Sequence, residues 1–177
     1  MNFFSKLPQL DKLGLSNCGT SNFTPLKDLK SIKYLDISNN NLDNIDFSHN
    51  FTNFIYLNIY NNIHSLIPLK NTKYINHINI SNNAITYIMP ILNNSNLKEL
   101  NANNNHLKEI KYICILKSIK KLLLSNTNIN NIDFLDISNN NITNISALQN
   151  LKSLYYLNLS NNYLKDISYI NNMNYLK

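Results

Sequence analysis

Three titratable side chains that could act together in chemistry are His77, Glu99 and Lys121, which are equally spaced along the sequence. An imidazole beside a carboxylate can move a proton, which is the minimum for general acid–base catalysis. The sequence has no H-E-x-x-H, glycine-rich phosphate-loop or nucleophile-elbow motif. The histidines share no common spacing: His49, His64, His77 and His106. We therefore expect a non-catalytic protein without a cofactor, in which this row belongs to a polar surface.

Metal and disulfide chemistry have equally little support. The two cysteines, Cys18 and Cys114, provide neither a metal-ligand spacing nor a disulfide framework. We expect both to be small buried residues in a reduced protein that binds no metal.

The N-terminus and the hydropathy of the chain bear on its location. Residues 1–10 have no continuous apolar run of the kind found in signal peptides, because Ser5, Lys6 and Pro8 interrupt them. No apolar stretch approaches the roughly 20 residues of a membrane span. We predict a cytoplasmic protein with no membrane partner; a secreted protein would fit the same sequence if its signal peptide had been removed.

A positive net charge of +6 suggests nucleic acid as an alternative partner. A basic cluster of the sequence supplies lysines that could contact phosphates: Lys108, Lys111, Lys117, Lys120 and Lys121. These lysines do not follow one face of any repeated pattern, and the chain has no arginine for bidentate contacts to bases. We expect nucleic-acid binding to be the weaker alternative.

An internal repeat organises nearly the whole chain of 177 residues. Its units start near Leu10, Ile32, Phe54, Ile75, Leu97, Ile119, Ile132 and Leu154. Subtracting each start from the next gives intervals of 22, 22, 21, 22, 22, 13 and 22. Counting each start as position one, leucine or isoleucine fills position four, and mostly position six. Position nine is an asparagine in six units: Asn40, Asn62, Asn83, Asn105, Asn140 and Asn162.

The pattern L-x-x-L-x-L-x-x-N/C-x-L written by these positions closely resembles the leucine-rich repeat family. Its 22-residue length is similar to the class found in the protein phosphatase-1 regulatory repeat protein and in bacterial internalins. The resemblance implies an α/β-type solenoid: a right-handed coil with a parallel β-sheet on its concave side. Alternation over positions three to seven predicts the strands, with positions four and six inward. Because few residues remain for the return path, and Pro25, Pro68 and Pro90 recur in it, we predict a convex side of 3₁₀ or irregular turns.

One unit is too short for this solenoid. The unit at 119–131 is little more than half as long as any other complete unit. We predict that the following strand, at Phe134–Ile137, is distorted or displaced from the sheet. The chain also starts and ends within a unit, so we expect residues 1–177 to be a single-domain fragment that lacks both caps. Self-association through the uncapped ends is a further expectation, because they would expose unpaired strand edges.

The concave face is where we expect a protein partner to bind. Positions two, three and five vary between units, and Tyr60 replaces the usual serine of position seven. Exposed tyrosines on a rigid sheet are typical anchors of protein interfaces. The uniform asparagines of positions eight and nine are interpreted as scaffold. The resemblance also implies an alternative, a secreted internalin-like protein that interacts with a host. The predicted binding residues are Tyr34, Asp36, Tyr56, Asn58, Tyr60, His77, Glu99, Lys121 and Tyr156.

Overall fold

The computed structural model describes residues 3–60, 63–108, 111–127, 129, 134–151, 153–171, 173–174 and 176. Short β-strands alternate with short 3₁₀ helices along the chain, except that no described helix separates the sixth strand from the seventh. The strands are β1 Lys12–Gly14, β2 Tyr34–Asp36, β3 Tyr56–Asn58, β4 His77–Asn79, β5 Glu99–Asn101, β6 Lys121–Leu123, β7 Phe134–Asp136 and β8 Tyr156–Asn158. The 3₁₀ helices are Phe3–Lys6, Thr24–Asp28, Asp46–Ser48, Ile67–Leu69, Met89–Ile91, Lys111–Ile115, Ser146–Asn150 and Ser168–Ile170.

The strands occupy positions three to five of the repeat and pair in parallel. Equivalent positions face each other across the sheet, as in the pairing of Leu35 with Leu57. Position four is buried in the interior strands, so each of them contributes one apolar side chain to the core. The side chains of positions three and five point to the open face of the sheet. Six strands form one sheet in the order β1 to β6. The predicted solenoid with a parallel sheet is therefore confirmed.

The return path is built from 3₁₀ helices, as predicted, and the described residues contain no α-helix. Pro25, Pro68 and Pro90 each occupy the first or second position of one of these helices. Proline fixes φ near the value that a 3₁₀ turn requires and lacks the amide that the first turn would leave unpaired. The prolines therefore start the turns that bring the chain back to the sheet.

The core is continuous from Phe23 to Met173 and joins strand residues to return-path residues. Four aromatic rings of the first three units pack in series within or against this core, with neighbouring centroids 5.4–6.1 Å apart: Phe23, Phe47, Phe51 and Phe54. Because each unit packs only on its neighbours, the apolar contacts of this continuous core hold successive units together.

The corner after each strand depends on two asparagines. Position eight has a left-handed backbone in seven units, with φ between 53° and 57°: Asn17, Asn39, Asn82, Asn104, Asn126, Asn139 and Asn161. Asparagine adopts this conformation more readily than other residues with a side chain beyond Cβ. The uniformity of position eight therefore has a specific backbone cause that the sequence analysis did not identify.

Position nine satisfies the polar groups of the corner. The side chain of Asn83 donates to the carbonyls of Ile59 and Ile80, each at 2.8 Å, and accepts from the amide of Ile63 at 2.9 Å. It thus links its own strand to the preceding one. Asn40, Asn105 and Asn162 make the same kind of bond to the preceding unit. Asn62 lies outside the described residues.

The short unit interrupts the sheet. β7 pairs with β8 and with no other described strand, and it lies beside the 3₁₀ helix Lys111–Ile115. This is the displacement that the short interval predicts. The side chain of Asn140 accepts from the amide of Ile119 at 3.0 Å, and Ile119 precedes strand β6. The side chain of Asn83 accepts instead from the amide of Ile63, which follows strand β3. The amide of Ile75, the equivalent of Ile119, is met by Asn94 of the return path. The seventh unit therefore stacks out of phase, against the return path that joins the fifth unit to the sixth.

Candidate functional site

A row of position-three side chains crosses the open face of the six-stranded sheet. The parallel register sets each directly beside the next: Lys12, Tyr34, Tyr56, His77, Glu99 and Lys121. Tyr34 and Tyr56 are each 36% exposed, and Tyr60 at position seven is 37% exposed. These aromatic rings are therefore anchored by the sheet but available to a partner.

The charged side chains and the histidine of the row lie at its two ends, with the tyrosines between them. The Lys12 Nζ atom lies 4.9 Å from the centroid of the Tyr34 ring, a cation–π contact. His77 Nε2 lies 3.9 Å from Glu99 Oε1, which makes a weak, partly exposed pair. Partial burial, followed by the charges of Asp36 and Glu99, raises the pKa of Tyr56 above its usual value of 10.0. The Tyr56 hydroxyl therefore keeps its proton at neutral pH and can donate a hydrogen bond.

Position five provides a polar floor beside the tyrosines. Asn58 Nδ2 donates to Asp36 Oδ2 at 3.1 Å, and Asp36 Oδ1 accepts from the backbone and the hydroxyl of Ser38. The buried Oδ1 atom of Asn58 has no hydrogen-bond partner in the described part of the chain. In the next unit the equivalent atom of Asn79 accepts from the Ser81 hydroxyl at 2.7 Å. At the equivalent place this unit has Tyr60, and neither its amide nor its hydroxyl donates to the Asn58 acceptor.

A groove of about 160 Å³ lies on the sheet at the centre of this row. We call it the sheet groove. Four of the predicted binding residues line it: Tyr56, His77, Glu99 and Lys121. The structure also places Asn79, Asn101 and Leu123 in its wall, residues that the predicted surface did not include. For Leu123 a signal existed, because it is an apolar residue in an otherwise mostly polar column.

Tyr156 is separated from the other predicted binding residues. It lies on β8 and pairs with Phe134 of β7, so it belongs to the two-stranded sheet. The prediction that Tyr156 shares one concave face with Tyr34 and Tyr56 is wrong, because the out-of-phase seventh unit divides that face.

A second and larger space lies where the six-stranded sheet ends. It has a volume of about 600 Å³, and we call it the break cleft. One wall consists of Glu99 and the residues of β6 and its approach, Lys120 to Leu123. The other wall contains Asn141, Thr143, Asn144, Ser146 and Tyr163. Lys121 and Leu123 line both this cleft and the sheet groove.

The lysines of the basic cluster whose side chains the structure describes lie in separate surroundings; the side chain of Lys111 is not among them. Lys108 Nζ is 5.8 Å from the centroid of the Tyr87 ring. Lys117 is near enough to Asp136 to contribute to the lowered pKa of that carboxyl, after the larger effect of its hydrogen bonds from Ser138. Lys120 and Lys121 line the break cleft. Such a dispersed set does not form the continuous track that a phosphate backbone would contact.

Other chemistry finds little support in the described residues. They contain no group of three or more metal-ligating side chains, and none of their helices is long and apolar enough to cross a membrane. Cys18 is exposed; the expectation of a buried thiol is wrong for this residue. Its amide instead donates to Asn40 at the first corner. The side chain of Cys114 lies outside the part of the chain that the structure describes.

Comparisons with known proteins agree with the repeat and the sheet. A family model described as "Leucine Rich repeats (2 copies)" matches residues 130–172, which include β7 and β8. Residues 130–172 therefore match the leucine-rich repeat family, and the whole described chain has the corresponding solenoid fold. No curated protein matches its sequence.

Solved structures of leucine-rich repeat proteins share the fold. Two are from Listeria monocytogenes: an internalin, InlF, with 24% identity and a TM-score of 0.57, and internalin C2, with 24% identity and a TM-score of 0.62. The APL1 leucine-rich repeat domain has 19% identity and a TM-score of 0.61. The alignments cover 98%, 98% and 99% of this chain and 61%, 71% and 56% of those chains, respectively. The chain thus spans less than two thirds of the length of InlF.

Proposed function

We propose that this leucine-rich repeat protein is a non-catalytic scaffold that binds a protein partner through the sheet groove and the tyrosines beside it. The observation that carries the proposal is the unbroken position-three row, in which two tyrosines precede a histidine, a glutamate and a lysine on adjacent strands. The leucine-rich repeat fold is widely suited to protein interaction because its parallel sheet offers a broad rigid surface.

The tyrosines supply the energy of this interaction. A tyrosine ring buries a large area at little cost in side-chain entropy, and its hydroxyl can still bond to the partner. Tyr34, Tyr56 and Tyr60 surround the Asp36–Asn58 pair, so the surface combines three rings with a carboxylate. Such a combination favours a partner that presents a cationic side chain near Asp36.

The opposite end of the row has a different preference. Lys121 stands beside Glu99, whose carboxylate already faces His77. An acidic group of the partner would therefore meet Lys121 at the far end of the groove. Complementary charges at two ends of a groove set the orientation of a partner more than they set its affinity.

The test replaces one tyrosine of the groove and one outside it. Tyr56→Ala should weaken partner binding by roughly 1–3 kcal/mol without unfolding the protein, because it removes a central aromatic anchor. Tyr74→Ala is the matched control, since Tyr74 is an exposed tyrosine away from the strands. The partner would be isolated on the immobilised wild-type chain, and its affinity for each variant measured by calorimetry.

Three outcomes would contradict the proposal. An equal loss of affinity in both variants would indicate a general effect on folding, and no loss in Tyr56→Ala would place the partner elsewhere. Binding that falls steeply with ionic strength and that a random oligonucleotide reproduces would favour nucleic acid. The cytoplasmic location and the internalin-like alternative stay predictions.

A further inference from the structure

The backbone hydrogen bonds that join successive units stop at β6. In each of the first five units the amide of the inward residue after the strand donates to the next strand: Leu15 to Asp36, Ile37 to Asn58, Ile59 to Asn79, Ile80 to Asn101 and Ala102 to Leu123, at 2.7–3.0 Å. The same bond reappears from Ile137 to Asn158. The amide of Leu124, which comes between them, has no partner among the described residues.

Two other backbone groups on the same edge of β6 also lack a hydrogen-bond partner among the described residues. The amide of Asn104 donates to the carbonyl of Ser125, but the amide of Asn126 meets no acceptor in the described chain. The carbonyl of Lys98 accepts from the amides of Lys120 and Lys121, whereas the carbonyl of Lys120 receives no donor from a described residue. The outer edge of β6 therefore has the donors and the acceptor that a further parallel strand would use.

The break cleft gives this edge room for a single extended chain. Its volume of about 600 Å³ is within the range of specific binding sites. The second wall, which includes Thr143 and Tyr163, stands opposite the edge. This wall would obstruct a second copy of the chain, because another solenoid would bring its own return path into the same space.

We propose that the break cleft binds an extended peptide segment that adds to β6 as a parallel strand and carries an acidic side chain beside Lys121. Addition of a strand to an open sheet edge is an established mode of peptide recognition, in which backbone bonds give affinity and alternate side chains give specificity. The inference does not rest on the proposed function, since it uses the backbone groups at the outer edge of β6 and not the tyrosines of the open face; the two sites share Lys121 and Leu123.

The side-chain preferences of the peptide follow from its two faces. Outward side chains would lie beside Lys121 and Leu123, where a carboxylate and then a small apolar group are complementary. Inward side chains must be small. The space beneath the edge, next to Leu122, is only about 10 Å³ and is enclosed by Ile137, Ile142 and Leu148.

The probe is the blocked peptide acetyl-Ser-Glu-Ala-Val-Ser-Thr-amide, whose glutamate would pair with Lys121. Its first two amides would donate to the Lys120 carbonyl, and its valine and threonine carbonyls would accept from Leu124 and Asn126. Hydrogen exchange of the ¹⁵N-labelled protein should slow about tenfold or more at Leu124 and Asn126 when the peptide saturates the site. Ala102 and Asn104 are internal controls, because their amides are already bonded across the sheet.

Two control peptides test the mechanism. The peptide with its first two amides N-methylated should not bind, because it cannot donate to Lys120. Replacement of its glutamate by lysine should weaken binding by roughly tenfold, since a like charge would then face Lys121. Equal binding of the N-methylated peptide would overturn the strand-addition proposal.

Protein variants test the location. Thr143→Trp should abolish peptide binding by filling the cleft, whereas Asp43→Trp should not, because it changes the equivalent exposed position of the second unit. Tyr56→Ala should leave peptide binding unchanged, so failure here and failure of the proposed function are distinguishable. Slow exchange at Leu124 in the free protein would show an edge already occupied, and a dimer that the peptide dissociates would assign the edge to a second copy. Either result would overturn the proposal.

Discussion

The octets Leu35–Leu42 and Leu135–Ile142 have nearly the same sequence and the same local structure. Asp36 and Asp136 each accept from the backbone of the serine two residues later, at 3.0 Å and 2.9 Å. Each octet also has a left-handed asparagine, with φ of 53° and 55°. The same octet therefore forms the same strand and corner at both places in the chain.

The two octets differ in what they stack upon. Asn40 donates to the Leu15 carbonyl of the preceding strand at 2.7 Å and accepts from the Cys18 amide. Asn140 donates within its own unit and accepts from Ile119, which comes before β6. The sequence of the octet therefore specifies the corner, whereas the number of residues between octets specifies which part of the preceding units the corner packs against.

The largest effect should come from removing a core leucine on either side of the break. Leu100→Ala should cost about 2–5 kcal/mol, because Leu100 is buried within the six-stranded sheet. Since units are stabilised by their nearest neighbours, the loss should appear in the amides of β4 to β6 and not in those of β7 and β8. Native-state hydrogen exchange measures both regions in one sample.

The reciprocal variant sharpens this prediction. Leu135→Ala removes an equally buried leucine on the other side and should reduce protection in β7 and β8 only. A uniform loss of protection over all eight strands in either variant would mean that the break does not divide the cooperative unit.

A smaller difference should separate two asparagines of the corners. Asn83→Ala should destabilise the protein by about 1–3 kcal/mol, because it leaves buried carbonyls of two adjacent strands unpaired. Asn140→Ala should cost less, about 0.5–1.5 kcal/mol, since its donor bonds stay within one unit. Urea unfolding gives both values, with the exposed Asn53→Ala as control. The reverse order would refute our account of the break.

The smallest effect concerns the acid stability of the second sheet. Hydrogen bonds from the Ser138 amide and hydroxyl lower the pKa of Asp136 below its usual value of 3.8, with smaller contributions from Asn158 and Lys117. A lowered folded-state pKa adds stability that is present above the unfolded value and is lost as the pH falls through the folded value. Because Asp136 is only partly shielded from solvent, this contribution should be below about 1 kcal/mol.

Asp136→Asn should remove this part of the pH dependence. Unfolding of β7 and β8 would be followed by hydrogen exchange or near-ultraviolet spectra from about pH 6 to about pH 3. Asp43→Asn, a change at an exposed carboxyl of the second unit, is the control. An acid limb that is unchanged in Asp136→Asn would contradict the assigned cause.

Much of the fold could be predicted because each unit repeats the same local rules. Alternating residues such as Leu35 and Ile37 fix which side chains point inward, and the prolines mark the 3₁₀ turns. The interruption was also predictable, since the stretch 119–131 is too short to complete a unit. The place where β7 packs could not be predicted, because it depends on the hydrogen bond that the Ile119 amide donates to Asn140.

The candidate site was only partly predictable for the same reason. Periodicity placed Tyr34, Tyr56 and His77 in one row, and the register of the sheet agrees with that placement. It also placed Tyr156 there, because the short interval predicts a disturbed strand at Phe134–Ile137 but does not show that the next strand leaves the sheet with it. The short interval signals a break in the sheet but not the break cleft itself, because it does not show which side chains of the fifth to eighth units face each other after the shift.

The unit at 119–131 has 13 residues where a regular unit has 22, and this difference in length has an evolutionary consequence. Substitutions can alter the sheet groove gradually, one side chain at a time, while the solenoid stays intact. The break cleft is inherited differently, because it depends on the length of a connection and not on the identity of its lining residues. One in-frame insertion could erase it and restore a continuous sheet, so this surface can be gained or lost in a single genetic event.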